Sequence, residues 1–374
     1  MYLPFPEVKK NFGFGFMRLP MQGDEVDMNT VCDMVDAFME AGFNYFDTAH
    51  GYVGGKSESA LREALVKRYP RESFVIADKL SSPHFSREEE IRPLVELELL
   101  ECGVDYFDFF LMHAQDLENY KKYRACRAYE IAFELKAEGK VRHVGISFHA
   151  GPELLEEILT DYPELEFVQI QLNYFDYRDG SVQSEKCLEV CRRHGKPAIV
   201  MEPVKGGTLV KLPEEADRVL RELGDASNAS YAIRFAAGCE GVFMVLSGMG
   251  SVEMVKDNIG YMKSFSPLSE REAEAVERVC DILRSANAIG CTDCKYCMEV
   301  CPKNIPIPGI FACLNSYRTF HYWNNRYYYG ITTDGKGKAS DCIACGKCEK
   351  ACPQHLPIRE LLAEAKESFE KKKP

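Results

Sequence analysis

Eight cysteines in two identically spaced groups constrain this chain more than any other feature of its sequence. They read Cys291-x2-Cys294-x2-Cys297-x3-Cys301-Pro302 and Cys342-x2-Cys345-x2-Cys348-x3-Cys352-Pro353. A cubane iron–sulfur cluster needs four thiolates converging on one small volume. A short loop presents three of them, and the fourth must come from elsewhere. Zinc sites built from four cysteines also use x2 spacing and are the alternative. Zinc requires neither a fourth cysteine followed by proline nor the same spacing used twice, so the pattern predicts two [4Fe–4S] clusters. The remaining cysteines, Cys32, Cys102, Cys126, Cys187, Cys191, Cys239, Cys280 and Cys313, are scattered along helical stretches. They read as buried thiols behaving as small hydrophobes.

Sixteen cysteines in 374 residues could instead suggest a disulfide scaffold, but such scaffolds are short and secreted. Met1 to Lys10 lacks a basic segment followed by an apolar stretch, so no secretory signal is read. Metal ligation in a reducing cytoplasm is the expectation. No run of about 18 apolar residues is present, which argues against a membrane span. The formal net charge of −12 argues against a nucleic-acid surface, because phosphate binding needs concentrated Lys and Arg.

Before the cysteines, short apolar runs alternate with longer amphipathic segments. The runs are Phe12–Phe16, Asn44–Thr48, Phe74–Ala77, Phe107–Met112, His143–Ser147, Phe167–Leu172, Ala198–Glu202 and Val242–Ser247. Val31, Val35, Phe38 and Met39 mark one helix, closed by Gly42, and Leu117–Ala137 marks another, stopped by Gly139. Strands alternating with helices imply a parallel sheet covered by helices, and eight such units imply a (β/α)8 TIM barrel. An open doubly wound sheet is the runner-up. After Pro267 the character changes. A charged helix over Ser269–Ala286 leads into the first cysteine group, and an insert from Asn315 to Ala339, rich in Tyr and Asn, separates it from the second. An amphipathic helix over Leu356–Glu370 then precedes Lys371, Lys372 and Lys373. The expected division is a barrel over 1–265 and a mainly helical cluster domain over 266–374.

In such barrels the chemistry sits where strands end. Strand two ends in Asp47 with Tyr52 in the loop behind it, strand three runs into Lys79, and strand four ends in His113. These four residue types suit carbonyl reduction. Hydride arriving at a carbonyl carbon leaves an alkoxide that needs a proton, and a tyrosine can give one. A neighbouring ammonium favours the phenolate, an aspartate holds that ammonium in place, and a histidine can orient the carbonyl oxygen. Singly, each has a plainer reading as a helix cap, a surface lysine or a loop hydrogen-bonder, and His50 reads as the last of these.

The segment Asn44-Tyr45-Phe46-Asp47-Thr48-Ala49-His50-Gly51-Tyr52 resembles strand two of the aldo-keto reductases. The surroundings of Lys79 and His113, and Gly139–Ser147, are similar to that family too. The resemblance spans about residues 10–262 and implies that Tyr52 is the acid–base, Asp47 and Lys79 its tuners, and His113 the substrate-orienting residue. It also implies NAD(P)(H) bound across the mouth, with Ser147 and Gln171 at the carboxamide and Gly248, Ser251 and Asn258 near the adenosine phosphate end. A helix start after a glycine-rich turn suits that phosphate. Three positions depart from the family pattern: Phe148 stands for an asparagine, Met201 for the stacking tyrosine, and Met254 for an arginine. They leave room for FMN in the barrel.

The complete chain resembles aldo-keto reductases with a fused ferredoxin domain. In two-cluster ferredoxins the last cysteine of each motif crosses to the other cluster. That rule groups Cys291, Cys294, Cys297 and Cys352 in one site, and Cys342, Cys345, Cys348 and Cys301 in the other. The expected function is a cytoplasmic oxidoreductase acting on a small carbonyl or alcohol substrate, with electrons relayed through two clusters to a ferredoxin or flavoprotein partner. The rivals are an electron-transfer subunit whose barrel binds a cofactor without carbonyl chemistry, and an enzyme whose clusters are purely structural. The aromatic insert, Tyr317, Phe320, Tyr322, Trp323, Tyr327, Tyr328 and Tyr329, reads as packing on the barrel, with a partner or substrate surface as the alternative.

Overall fold

The computed structural model describes residues 3–285 and 289–371. Ala286, Met1, Tyr2, Lys372 and Lys373 lie outside them. The eight apolar runs form parallel strands: β1 (Phe12–Gly15), β2 (Tyr45–Asp47), β3 (Val75–Leu80), β4 (Phe107–Gln115), β5 (Val141–Phe148), β6 (Phe167–Gln171), β7 (Ala198–Met201) and β8 (Val242–Ser247). Each pairs with its neighbour in the chain, and β1 pairs with both β2 and β8, closing the barrel. Closure satisfies every strand edge that an open doubly wound sheet would leave exposed.

Around the strands lie α1 (Met28–Glu40), α2 (Ser57–Leu61), α3 (Ile91–Cys102), α4 (Leu117–Ala125), α5 (Ala128–Ala137), α6 (Pro152–Asp161), α7 (Ser184–Arg193), α8 (Glu214–Arg221), α9 (Asn228–Gly238) and α10 (Val252–Met262). The helix expected over Leu117–Ala137 is two helices, because Arg127 between α4 and α5 takes a left-handed φ of 53°. A short hairpin pairing Met21–Gln22 with Glu25–Val26, not foreseen from the sequence, precedes α1. Inside the barrel, Phe5 and Val8 pack with Tyr45, Phe109, Phe167 and Phe243. The N-terminal segment thus plugs one end and leaves the other for chemistry.

The charged helix forms as α11 (Glu270–Ser285), whose Ala275, Val276, Val279 and Leu283 pack with Leu209, Ala216 and Leu220 of the barrel's helical layer. Beyond it come α12 (Tyr296–Glu299), α13 (Ile307–Phe320), α14 (Asn324–Thr333), α15 (Lys347–Ala351) and α16 (Ile358–Phe369). Ile305, Ile310, Phe311, Leu314, Tyr328, Leu362 and Phe369 make a second apolar core. The insert therefore packs as expected. Phe320 meets Phe175 of the barrel edge-on, and Tyr329 stacks on Phe369. Among the described residues no helix is long and apolar enough to cross a membrane.

Candidate active site and cluster cradles

The ends of β2, β3 and β4, with the loop after β2, bring Asp47, Tyr52, Lys79 and His113 together. Lys79 Nζ donates to Asp47 Oδ1 at 2.7 Å and to the Thr48 carbonyl at 2.5 Å. It lies 4.9 Å from the centre of the Tyr52 ring, and the Tyr52 and His113 rings are 5.9 Å apart. Lys79 is fully buried. Burial alone would favour its neutral form, but opposing contributions led by the charge of Asp47 outweigh that and hold Lys79 above its ordinary value. The Tyr52 phenol shifts up rather than down, because burial outweighs the pull of Lys79. At neutral pH it is a proton carrier kept loaded. Burial, then the charges of Lys79, His149 and His84, hold His113 well below the ordinary range, so its ring is neutral. Ser81 Oγ lies 2.7 Å from His113 Nδ1. His50 sits 2.8 Å from Glu58 Oε2, the loop hydrogen bond expected of it.

The residues expected to hold a dinucleotide are placed less simply. Ser147 Oγ accepts from the Ala114 N–H at 2.7 Å. Gln171 Oε1 accepts from Tyr328 Oη at 2.7 Å and from Asn324 Nδ2 at 3.1 Å, both from α14. Its Nε2 donates to Asp176, which also receives Lys205 at 2.6 Å in a buried ion pair. Both lone pairs of the Gln171 oxygen are thus taken by the cluster-bearing part of the chain. Tyr322 Oη accepts from Arg18 at 3.0 Å and donates to Glu202 at 3.2 Å. Its ring crowds Gly206, where φ is +63° and a Cβ would lie 2.2 Å away. Ser251 caps α10, and Gly248 lies against the Arg18 side chain. Asn258 is buried, donating to Ser247 Oγ at 3.0 Å and accepting from Tyr261. The Gln171 oxygen, expected to face a carboxamide, is therefore engaged by Tyr328 and Asn324 of this chain.

Sequence reasoning did not foresee Asn324, Tyr328 and His149 at the mouth. His149 packs edge-on to Tyr327 at 5.3 Å, and burial lowers it to about 4. Its Nδ1 and the Tyr327 hydroxyl have no partner among the described residues. The signal available was the clustering of Tyr and Asn in the insert, which does not say where they land.

The eight motif cysteines line two small concavities. One is lined by Cys291, Cys294, Cys297 and Cys352, the other by Cys342, Cys345, Cys348 and Cys301. This is the crossed grouping. Apolar side chains line each cradle beside the sulfurs, Ile307, Phe311 and Leu356 in one and Ile305, Ile307 and Leu362 in the other. The backbone repeats as well. Asp293 and Lys295 flank Cys294 with left-handed φ, as Ala344 and Gly346 flank Cys345, and Asn304 and His355 repeat the turn after each proline. Such turns aim successive N–H groups into a concavity that suits an anionic cluster. Burial and neighbouring thiols push Cys297 up to about 12. The residues fit the clusters.

Residues 11–281 match the aldo/keto reductase family, and residues 290–356 match the 4Fe-4S dicluster domain. An uncharacterized oxidoreductase of Schizosaccharomyces pombe is 29% identical over 67% of this chain and 81% of its own length. An NADH-specific methylglyoxal reductase of Escherichia coli is 28% identical over 51% of this chain and 61% of its own. The aldo/keto reductase of Klebsiella pneumoniae solved with NADP and acetate superposes with a TM-score of 0.60 at 19% identity, covering 73% of this chain and 95% of that one.

Proposed function

The chain belongs to the aldo/keto reductase family and is an oxidoreductase with a 4Fe-4S dicluster domain, and from that premise we propose that it interconverts a small carbonyl substrate and its alcohol at the Tyr52 mouth. The convergence of Tyr52, Lys79, Asp47 and His113 carries this reading. In the reducing direction Tyr52 gives its proton to the oxygen as negative charge develops there. Lys79, held charged by Asp47, stabilises the phenolate left behind. In the tautomer in which Ser81 donates to Nδ1, 2.7 Å away, His113 carries its proton on Nε2 and would donate to the carbonyl oxygen.

The two cradles would hold two [4Fe–4S] clusters with crossed ligands, and these would exchange single electrons with a ferredoxin-like or flavoprotein partner. A reduced nicotinamide, NADH or NADPH, would supply hydride. The curated relative of Escherichia coli named as NADH-specific, and the neighbour solved with NADP, support that class. The division at residues 265/266 remains a proposal, in which α11 is the link whose apolar face rests on the barrel.

A second reading follows from Gln171. With both lone pairs of its oxygen engaged by Tyr328 and Asn324, the barrel would bind a cofactor such as FMN and serve electron transfer without carbonyl chemistry. Steady-state reduction of methylglyoxal by NADH or NADPH, using anaerobically purified protein, separates the two. Turnover that Tyr52→Phe abolishes supports the first reading. Flavin in the purified protein, with no turnover, supports the second.

A further inference from the structure

Behind Lys79, on the opposite face of β3, a second set of ionisable side chains is buried that the mouth does not use. Successive residues of a strand point to opposite faces, so Asp78 turns away from the mouth toward α2 and α3. There it meets Glu58 and Cys102, whose ligand atoms and its own all lie within 4.8 Å of one another. Glu98 joins them from α3, one helical turn before Cys102, a spacing that puts both on one face. Asp78, Glu98 and Cys102 are 0% exposed and Glu58 is 1% exposed.

Such a group is ordinarily satisfied by donors, and here the donors are few. Asp78 accepts from the Lys79 N–H at 2.8 Å and from Cys102 at 3.5 Å. Both Glu98 oxygens and Glu58 Oε1 have no hydrogen-bond partner among the described residues. The charges of Asp78 and Glu58 act on the Glu98 carboxyl, and the unpartnered Glu58 Oε1 belongs to a member of the three-residue group itself. Buried polar atoms left open in this way mark a missing positive partner.

We propose that Glu58, Asp78 and Cys102 bind a divalent transition-metal ion of the zinc type, separate from the iron–sulfur clusters. One sulfur and two carboxylates, with ligand atoms within 4.8 Å of one another, suit such an ion better than the all-oxygen shell of calcium or magnesium. Two carboxylates and one thiolate against a doubly charged ion leave one negative charge. His50 Nδ1 lies 2.8 Å from Glu58 Oε2 at the edge of this group. The ion would pin α2, β3 and α3 directly behind the strand that carries Lys79. It is a structural ion and touches no substrate.

The test uses the full-length, anaerobically purified protein with its clusters intact. After dialysis against zinc and gel filtration, metal analysis is expected to give one zinc per chain at an unchanged iron content. Cys102→Ala and Asp78→Asn are each expected to lose that zinc. X-ray absorption at the zinc edge of the wild type guards against variants that fail to fold. It is expected to fit one sulfur at about 2.3 Å and oxygens at about 2.0–2.2 Å. No bound zinc would overturn the proposal and leave the pocket a store of protons, and an all-sulfur shell would overturn it by placing zinc in the cluster cradles.

Discussion

The barrel mouth and the cluster cradles solve the problem of burying charge in opposite ways. At the mouth, Lys79 and Asp47 pair within the chain at 2.7 Å, leaving only Asp47 Oδ2 of that pair without a partner among the described residues, in a site that parallel strands had already built. In the cradles, each set of four sulfurs converges from two separate chain segments and offers no positive partner of its own among the cysteines. Their loops are irregular, held by short helices and left-handed turns rather than a continuous ladder. One region should hold its shape whatever it binds. The other should owe much of its shape to an inorganic core, as small metal-bound modules do.

The sharpest way to break this contrast is to take the iron away. Chelating the clusters under mild oxidation should release residues 289–371 to proteolysis and rapid hydrogen exchange, while the barrel strands stay protected. Equal protection in both regions after iron loss would erase the distinction. Next in size is Tyr52→Phe, which should lower carbonyl turnover by about a hundredfold or more and leave the visible spectrum of the clusters unchanged.

Smaller effects probe where the two regions meet. His149 is held neutral, lowered to about 4, whereas an unfolded histidine takes a proton below about 6.5. Between those values the unfolded chain binds more protons, so stability falls as pH drops through that window, by roughly 2 kcal/mol in all for a partly covered ring. Denaturant unfolding of His149→Phe should be flatter over that range. The mildest test is Tyr328→Phe, which returns one lone pair to Gln171. Losing a hydrogen bond worth about 1 kcal/mol should tighten dinucleotide binding about fivefold by fluorescence titration. Unchanged affinity would mean that Gln171 is not part of that site.

Much of this was legible beforehand because it rests on local pattern. Apolar runs bounded by polar loops located all eight strands, and residues such as Asp47 and Lys79 stand at their ends because the mouth is where strands stop. The crossed grouping of the cysteines came from the likeness to two-cluster ferredoxins, not from the spacing alone. What stayed illegible depends on tertiary placement. Arg127 carries no signal that it will take a left-handed turn and split α4 from α5. Nor does the run of tyrosines show that Tyr328 will reach Gln171, because that contact is set by how α13 and α14 pack on the barrel. The fall of the Tyr52 phenol expected from Lys79 reversed for a similar reason, since burial cannot be read from neighbouring residues in a sequence.

The most direct check on the whole account is iron and acid-labile sulfide per chain in protein purified without oxygen. Two crossed cradles of four cysteines each predict about eight of each. Zinc in their place, or only half that iron, would contradict it.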